Sequence, residues 1–334
     1  MDTMPEDKPV DESKIEPENT PEIELVAAFD TPSPATMEPQ RDLQPSLPRG
    51  IAPIWHTVVL VVGILAFSIW GAKSSTSGTI NPLAPVHSAS QAAATTGTNH
   101  VRLIHYGLTG TIELIVVAWV VFGLRLRKIS FRSLFGTWPH GLNNITKEAG
   151  IAAVFWICSM LILVSFAFSW DIVQTQIYKH RTASQSSNQS SSKSGSAQQK
   201  SPQQERTEMI NQLMELAPAN NIEIAAWGML CLVVGFSEEL IFRGYLQTQC
   251  IGLLGNILIG VLLTSIVFGA AHGYQGLRGI CLITIYGALF SCITLLRKNL
   301  LPGMLAHSWH DFATGMVLAL VRATHLLDKL PVSH

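Results

Sequence analysis

Two adjacent glutamates stand inside an apolar stretch, Gly235-Phe-Ser-Glu238-Glu239-Leu-Ile-Phe-Arg243, with apolar residues from Ile224 to Val234 before them. A charge near the centre of a membrane helix costs about 2.5–3.5 kcal/mol on insertion scales, so ionisable groups at such a place mark function by default. Two later apolar stretches each carry a histidine, in Phe268-Gly-Ala-Ala-His272 and in His307-Ser-Trp-His310-Asp311. Carboxylate, imidazole and guanidinium at membrane depth are the materials of hydrolysis: a base for water, a group to orient it, and charge to hold both.

Helical spacing sorts the roles. Residues four apart share a face, so Glu239 and Arg243 can pair and neutralise each other. Glu238 lies about 100° round the helix from Glu239 and is left free to face a cavity and act as general base. The competing reading is a structural ion cluster that ties helices together. His307 and Asp311 are also four apart. Either Asp311 fixes the tautomer of His307, or both face a carbonyl oxygen or a metal. His310 points elsewhere and is assigned to packing or support. His272 closes its span, where it can orient water, bind metal, or simply satisfy an interfacial hydrogen bond.

The elements that must carry these residues are membrane helices. The chain is 48% hydrophobic and 13% charged, against about 25% charged in a soluble domain. Residues 1–50 hold twelve Asp/Glu and four Lys/Arg, so an overall charge of -1 conceals about +7 in the remainder. Those positive charges form short clusters beside apolar spans, and no nucleic-acid patch is present. Five cysteines, none in a CxxC pair, fall in or beside apolar stretches and argue against a disulfide framework or a zinc cluster.

The pattern predicts an all-α, polytopic membrane bundle of about seven (6–8) transmembrane helices. Residues 1–50 form a disordered, acidic, Pro-rich tail. A three-helix accessory region covers 51–170, with spans near 51–72, 103–124 and 148–170. A flexible Ser/Gln-rich loop covers 171–220. Four spans, near 222–250, 253–272, 278–296 and 299–321, make a chemical core at 221–322, and 323–334 is a tail. Arg125, Arg127, Lys128 and Arg132 put the loop after the second span, and therefore the N-terminus, in the cytoplasm.

EExxxR, FxxxH and HxxxD in successive apolar spans resemble the CPBP family of intramembrane proteases, which includes type II CAAX prenyl endopeptidases and the Abi proteins. The resemblance covers roughly 221–322. It implies an integral membrane endopeptidase, of the bacterial inner (plasma) membrane, acting on a peptide or protein substrate that is membrane-anchored or lipid-modified. By the same resemblance Glu238 is the water-activating acid, Glu239 and Arg243 its supporting pair, His272 a holder of the water, and His307 an oxyanion stabiliser. The family often has Asn where Asp311 stands, and an ionised carboxylate cannot donate to an oxyanion. A tautomer-fixing or metal-binding role for Asp311 gains accordingly. The family is commonly labelled metalloprotease, which would make His272, His307 and Asp311 ligands of a divalent metal such as zinc. HExxH is absent, and direct proton abstraction by Glu238 is the other reading. Rival functions are a transporter with a buried charge site and a non-catalytic scaffold or immunity protein.

Overall fold

A computed structural model describes residues 50–77, 98–188, 204, 207, 210 and 213–324. The expected tail at 1–50 lies outside these except for Gly50, as do most of the 182–204 linker and the end of the 323–334 tail.

Among the described residues eight α-helices are bounded: α1 (Ile54–Ser77), α2 (Thr98–Leu126), α3 (Leu142–Asn188), α4 (Asn221–Glu239), α5 (Thr248–Leu254), α6 (Ile257–Ala271), α7 (Gly276–Arg297) and α8 (Leu301–Ala323). No β-strand occurs among the described residues. Five stretches there are long and apolar enough to cross a membrane: Ile54–Gly71, Val101–Leu126, Leu142–Thr182, Asn221–Leu254 and Gly273–Arg297. The remaining two expected spans exist as helices but read differently. α6 is apolar but has only 15 residues, and α8 is interrupted by His307, His310 and Asp311. With its outward apolar residues, this is an integral membrane bundle.

Local chemistry sets the ends of the core helices. The Asn220 side chain accepts from Glu223 N at 3.0 Å, and Glu223 reaches back to Ala219 N at 2.8 Å, a reciprocal N-cap. Asn256 caps α6 through Ile259 N at 3.0 Å. Gly255 closes α5 in the left-handed conformation, φ 65°, where glycine carries no Cβ penalty. Between α4 and α5, residues Leu240–Gln247 form a π-helical segment, so one bent rod runs from Asn221 to Leu254. Such wide turns recur at functional sites.

The largest departure from expectation is α3. It continues as helix through residues 171–188, where composition predicts a loop. That stretch contains neither Gly nor Pro, the two strong helix breakers, and Asp171 is anchored to Arg278 of α7 at 3.0 Å.

The bundle has two distinct ends. At one, Gln249 exchanges hydrogen bonds with Ala52, and His56 bonds the Tyr245 hydroxyl at 2.8 Å. Thr137 N donates to Lys298 O at 2.8 Å there, which brings the basic loop after α2 against the Arg297–Lys298 turn. At the other end, Arg102 pairs with Glu223 at 2.8 Å, and Arg322 donates to the carbonyls of Met214, Ala217 and Pro218.

Candidate active site

The Glu238–Glu239 pair ends α4, and Arg243 sits in the π-helical segment that follows. Arg243 Nη1 donates to Glu239 Oε1 at 3.0 Å, the i,i+4 pair that the spacing predicts. Both side chains are buried, so their attraction acts in a low dielectric and each needs further partners. Arg243 finds them in the Gly287 carbonyl, 3.1 Å from Nη2, and in the face of Phe268, 4.2 Å from its guanidinium carbon. A Cβ on Gly287 would lie 3.3 Å from Nη2, so the absence of a side chain there lets α7 close over the guanidinium.

Gly235 performs the same service between α4 and α8. A Cβ there would stand 2.7 Å from Ser308 N, which no real side chain tolerates. The close approach puts His307 against the acid pair. His307 Nδ1 lies 3.0 Å from Glu239 Oε1, and its Nε2 lies 3.5 Å from Glu238 Oε2 and 3.8 Å from Asp311 Oδ2. The Glu239 carboxylate can only accept, so Nδ1–H donates to it. Glu239, and not Asp311, therefore fixes the His307 tautomer. The 3.8 Å separation from Asp311 is too long for a hydrogen bond.

His272 caps α6. Its Nδ1 donates to Phe268 O at 3.0 Å, which leaves Nε2 as the acceptor. The turn behind it is held from α1: Ser68 Oγ donates to Ala270 O at 2.7 Å and accepts from Gly273 N at 3.0 Å. Phe268 packs edge-on to His272 and to His307, with centroids 5.1 and 6.1 Å away. The FxxxH phenylalanine is thus the apolar hub between guanidinium and both imidazoles.

Glu238, His272, His307 and Asp311 line a single cavity of about 450 Å³. Glu239 and Arg243 stand behind its wall. Glu238 Oε2 is buried and has no hydrogen-bond partner among the described residues. His310, assigned to packing from sequence, also lines the cavity, its ring 5.0 Å from that of Tyr286. Glu113 of α2 lines it too. Glu113 is a lone acid in an apolar helix, a weaker form of the signal that the adjacent pair Glu238–Glu239 with Arg243 gives. Tyr286 offered no such signal.

Among the described residues no group of three His, Cys, Asp or Glu is arranged to hold a metal ion. His307 gives Nδ1–H to Glu239 and His272 gives Nδ1–H to a backbone carbonyl, so each keeps Nε2 toward the cavity, as a ligating histidine also does. His272, His307 and Asp311 line the cavity together without being drawn into such a group.

Residues 220–313 match the family model described as type II CAAX prenyl endopeptidase Rce1-like. The match runs from the N-cap of α4 to the middle of α8 and leaves α1–α3 outside. No curated protein and no solved structure matches the chain. A helical membrane bundle with this segment at its centre is similar to a membrane-embedded protease, and the similarity indicates a hydrolase working among lipids on a protein substrate. By its 220–313 segment the chain is similar to the type II CAAX prenyl endopeptidases.

Proposed function

We propose that the cavity is the hydrolytic centre of an intramembrane endopeptidase in which Glu238 activates water for attack on a peptide carbonyl. The observation that carries this is the buried, unpartnered Glu238 Oε2 in one cavity with His272 and His307. A carboxylate within hydrogen-bond reach of water is a general base, and low-dielectric surroundings strengthen its electrostatic hold.

The steps follow from the donors. His272 Nε2 accepts from the water and turns one of its lone pairs toward the substrate. Glu238 takes a proton as the water oxygen bonds to the carbonyl carbon, and the carbonyl electron pair moves onto its oxygen. Collapse breaks the C–N bond, and Glu238 returns the proton to the leaving amine. Glu239 and Arg243 touch no reactant. Their work is to hold His307 in place and to balance charge behind the wall.

The substrate is a membrane-anchored segment. The aromatic and aliphatic part of the wall, with Phe67, Trp70, Trp227 and Val234, suits an apolar side chain or a lipid modification of the kind that CAAX substrates carry. Access is from one face. The basic residues of the α2–α3 loop and of the Arg297–Lys298 turn meet at one end of the bundle, and the cavity reaches the other. The positive-inside rule then puts the N-terminus in the cytoplasm and opens the cavity to the far side of the plasma membrane. An impermeant maleimide applied to intact cells tests this: a single cysteine at Tyr274 should label and one at Lys128 should not. The reverse pattern inverts the topology.

The test of function is Glu238→Gln, purified in detergent and assayed on a peptide library. Loss of cleavage with unchanged melting supports the base; wild-type rates remove the protease reading.

A further inference from the structure

The proposed reaction develops a negative charge on the carbonyl oxygen, and the cavity must supply a donor for it. Asp311, where the family often has Asn, is an acceptor when ionised. His307 has given Nδ1–H to Glu239, and its Nε2 is turned to the carboxylates of Glu238 and Asp311, 3.5 and 3.8 Å away. Two residues of the lining carry a buried neutral donor without a hydrogen-bond partner among the described residues, Trp227 through Nε1 and Tyr286 through its hydroxyl, and of the two it is the Tyr286 ring that stands beside His307. Tyr286 belongs to α7 and is only 5% exposed.

A buried hydroxyl without a partner is destabilising, and in a native structure it calls for an explanation. Packing does not supply one. The Tyr286 ring stands edge-on to Phe290 at 4.5 Å and tilted against His310 at 5.0 Å, contacts that phenylalanine would make equally well. The ring centroid is 6.3 Å from that of His307, so the phenol belongs to the reacting region and not to a remote layer.

We infer that Tyr286 is a further catalytic residue, whose hydroxyl donates a hydrogen bond to the carbonyl oxygen as it becomes an oxyanion. The inference rests on the hydrolytic reading above. The O–H bond of Tyr286 stays intact throughout: it donates while the C–O bond to water forms, and the carbonyl electrons return when the C–N bond breaks. A fixed donor aimed at developing charge in a water-poor site needs no reorganisation at the moment of reaction. Tyr286 takes up in this chain the donor role that an amide at position 311 would fill.

The probe is the library peptide that the wild-type protein in detergent cleaves fastest. Tyr286→Phe should lower kcat by roughly 10²–10³-fold, the usual effect of losing one oxyanion donor, with KM little changed. Its melting temperature should equal or exceed that of wild type, because the substitution removes only an unpartnered hydroxyl. Asp311→Asn added to Tyr286→Phe returns a donor and should recover part of kcat. A raised KM with kcat intact would make Tyr286 a binding group and overturn the inference. So would a wild-type rate in Tyr286→Phe while Glu238→Gln is inactive. An active Glu238→Gln would instead remove the hydrolytic reading itself, so the two failures are distinguishable.

Discussion

His307 Nδ1 and Glu239 Oε1 lie 3.0 Å apart, and the same oxygen accepts from Arg243 Nη1 at 3.0 Å. One carboxylate oxygen thus joins two motifs that are 68 residues apart in the chain. Glu239→Gln replaces that acceptor with an amide and leaves the Arg243 guanidinium uncompensated. Breaking a buried pair costs about 3–5 kcal/mol, so this variant should melt well below wild type and lose activity. Melting in detergent checks it. Wild-type melting with no activity would move the base from Glu238 to Glu239.

Glu238 should behave in the opposite way. Its Oε2 has no hydrogen-bond partner among the described residues, and the His307 Nε2 that it faces at 3.5 Å is held on its other side by Glu239, so Glu238→Gln removes a proton acceptor without orphaning Arg243. Cleavage should fall by about 10²–10⁴-fold, the usual worth of general-base catalysis, and melting should be unchanged. The two readouts on one preparation separate chemistry from folding.

Pairing Glu239→Gln with Arg243→Met removes the uncompensated charge as well. The double variant should recover much of the melting temperature lost by Glu239→Gln. It should not recover activity, because His307 still lacks its carboxylate acceptor. Full recovery of both would show that His307 needs no fixing from Glu239.

Ser68 supplies a prediction from outside the matched segment. Its hydroxyl bonds Ala270 O and Gly273 N on either side of His272. Ser68→Ala should loosen that turn and reduce kcat several-fold, and Ser68→Thr should keep the hydroxyl and much of the rate. Equal rates in both would reduce Ser68 to a packing contact.

Metal removal bears on the mechanism directly. In the proposed mechanism Glu238 takes the proton from water directly, and on that reading chelator-treated protein should cleave at its original rate. Elemental analysis accompanies the assay. A stoichiometric zinc whose removal stops cleavage, and whose return restores it, would give His272, His307 and Asp311 back their expected role as ligands.

Much of the core was legible before any coordinates. The EExxxR spacing fixes the Glu239–Arg243 pair because four residues make about one helical turn, and the order of the motifs locates the segment. What escaped depends on tertiary approach. Nothing in HxxxD says that His307 turns to Glu239 on another helix in preference to Asp311 on its own. Gly235 decides that by letting α8 come close. The π-helical turn at Leu240–Gln247 has no compositional signature. Tyr286 is ordinary in an apolar helix, and only its partnerless hydroxyl sets it apart. α3 was cut short because Ser/Gln-rich sequence follows it, although 171–188 contains no helix breaker.

That long helix has a mechanical consequence. Its 47 residues span about 70 Å, against roughly 30 Å of hydrocarbon. Arg278 holds Asp171 near the start of α7, at the cavity end, and the helix runs on past that point for roughly 25 Å more. Were the membrane surface to lie at that ion pair, a mast of that height beside the mouth would keep any bulky folded partner from resting flush on the membrane there. A bond to be cut must then hang from its folded domain on a leash of about eight extended residues, at ~3.3 Å each. The selectivity of the proposed protease would thus be written partly as a length, before any side chain is read.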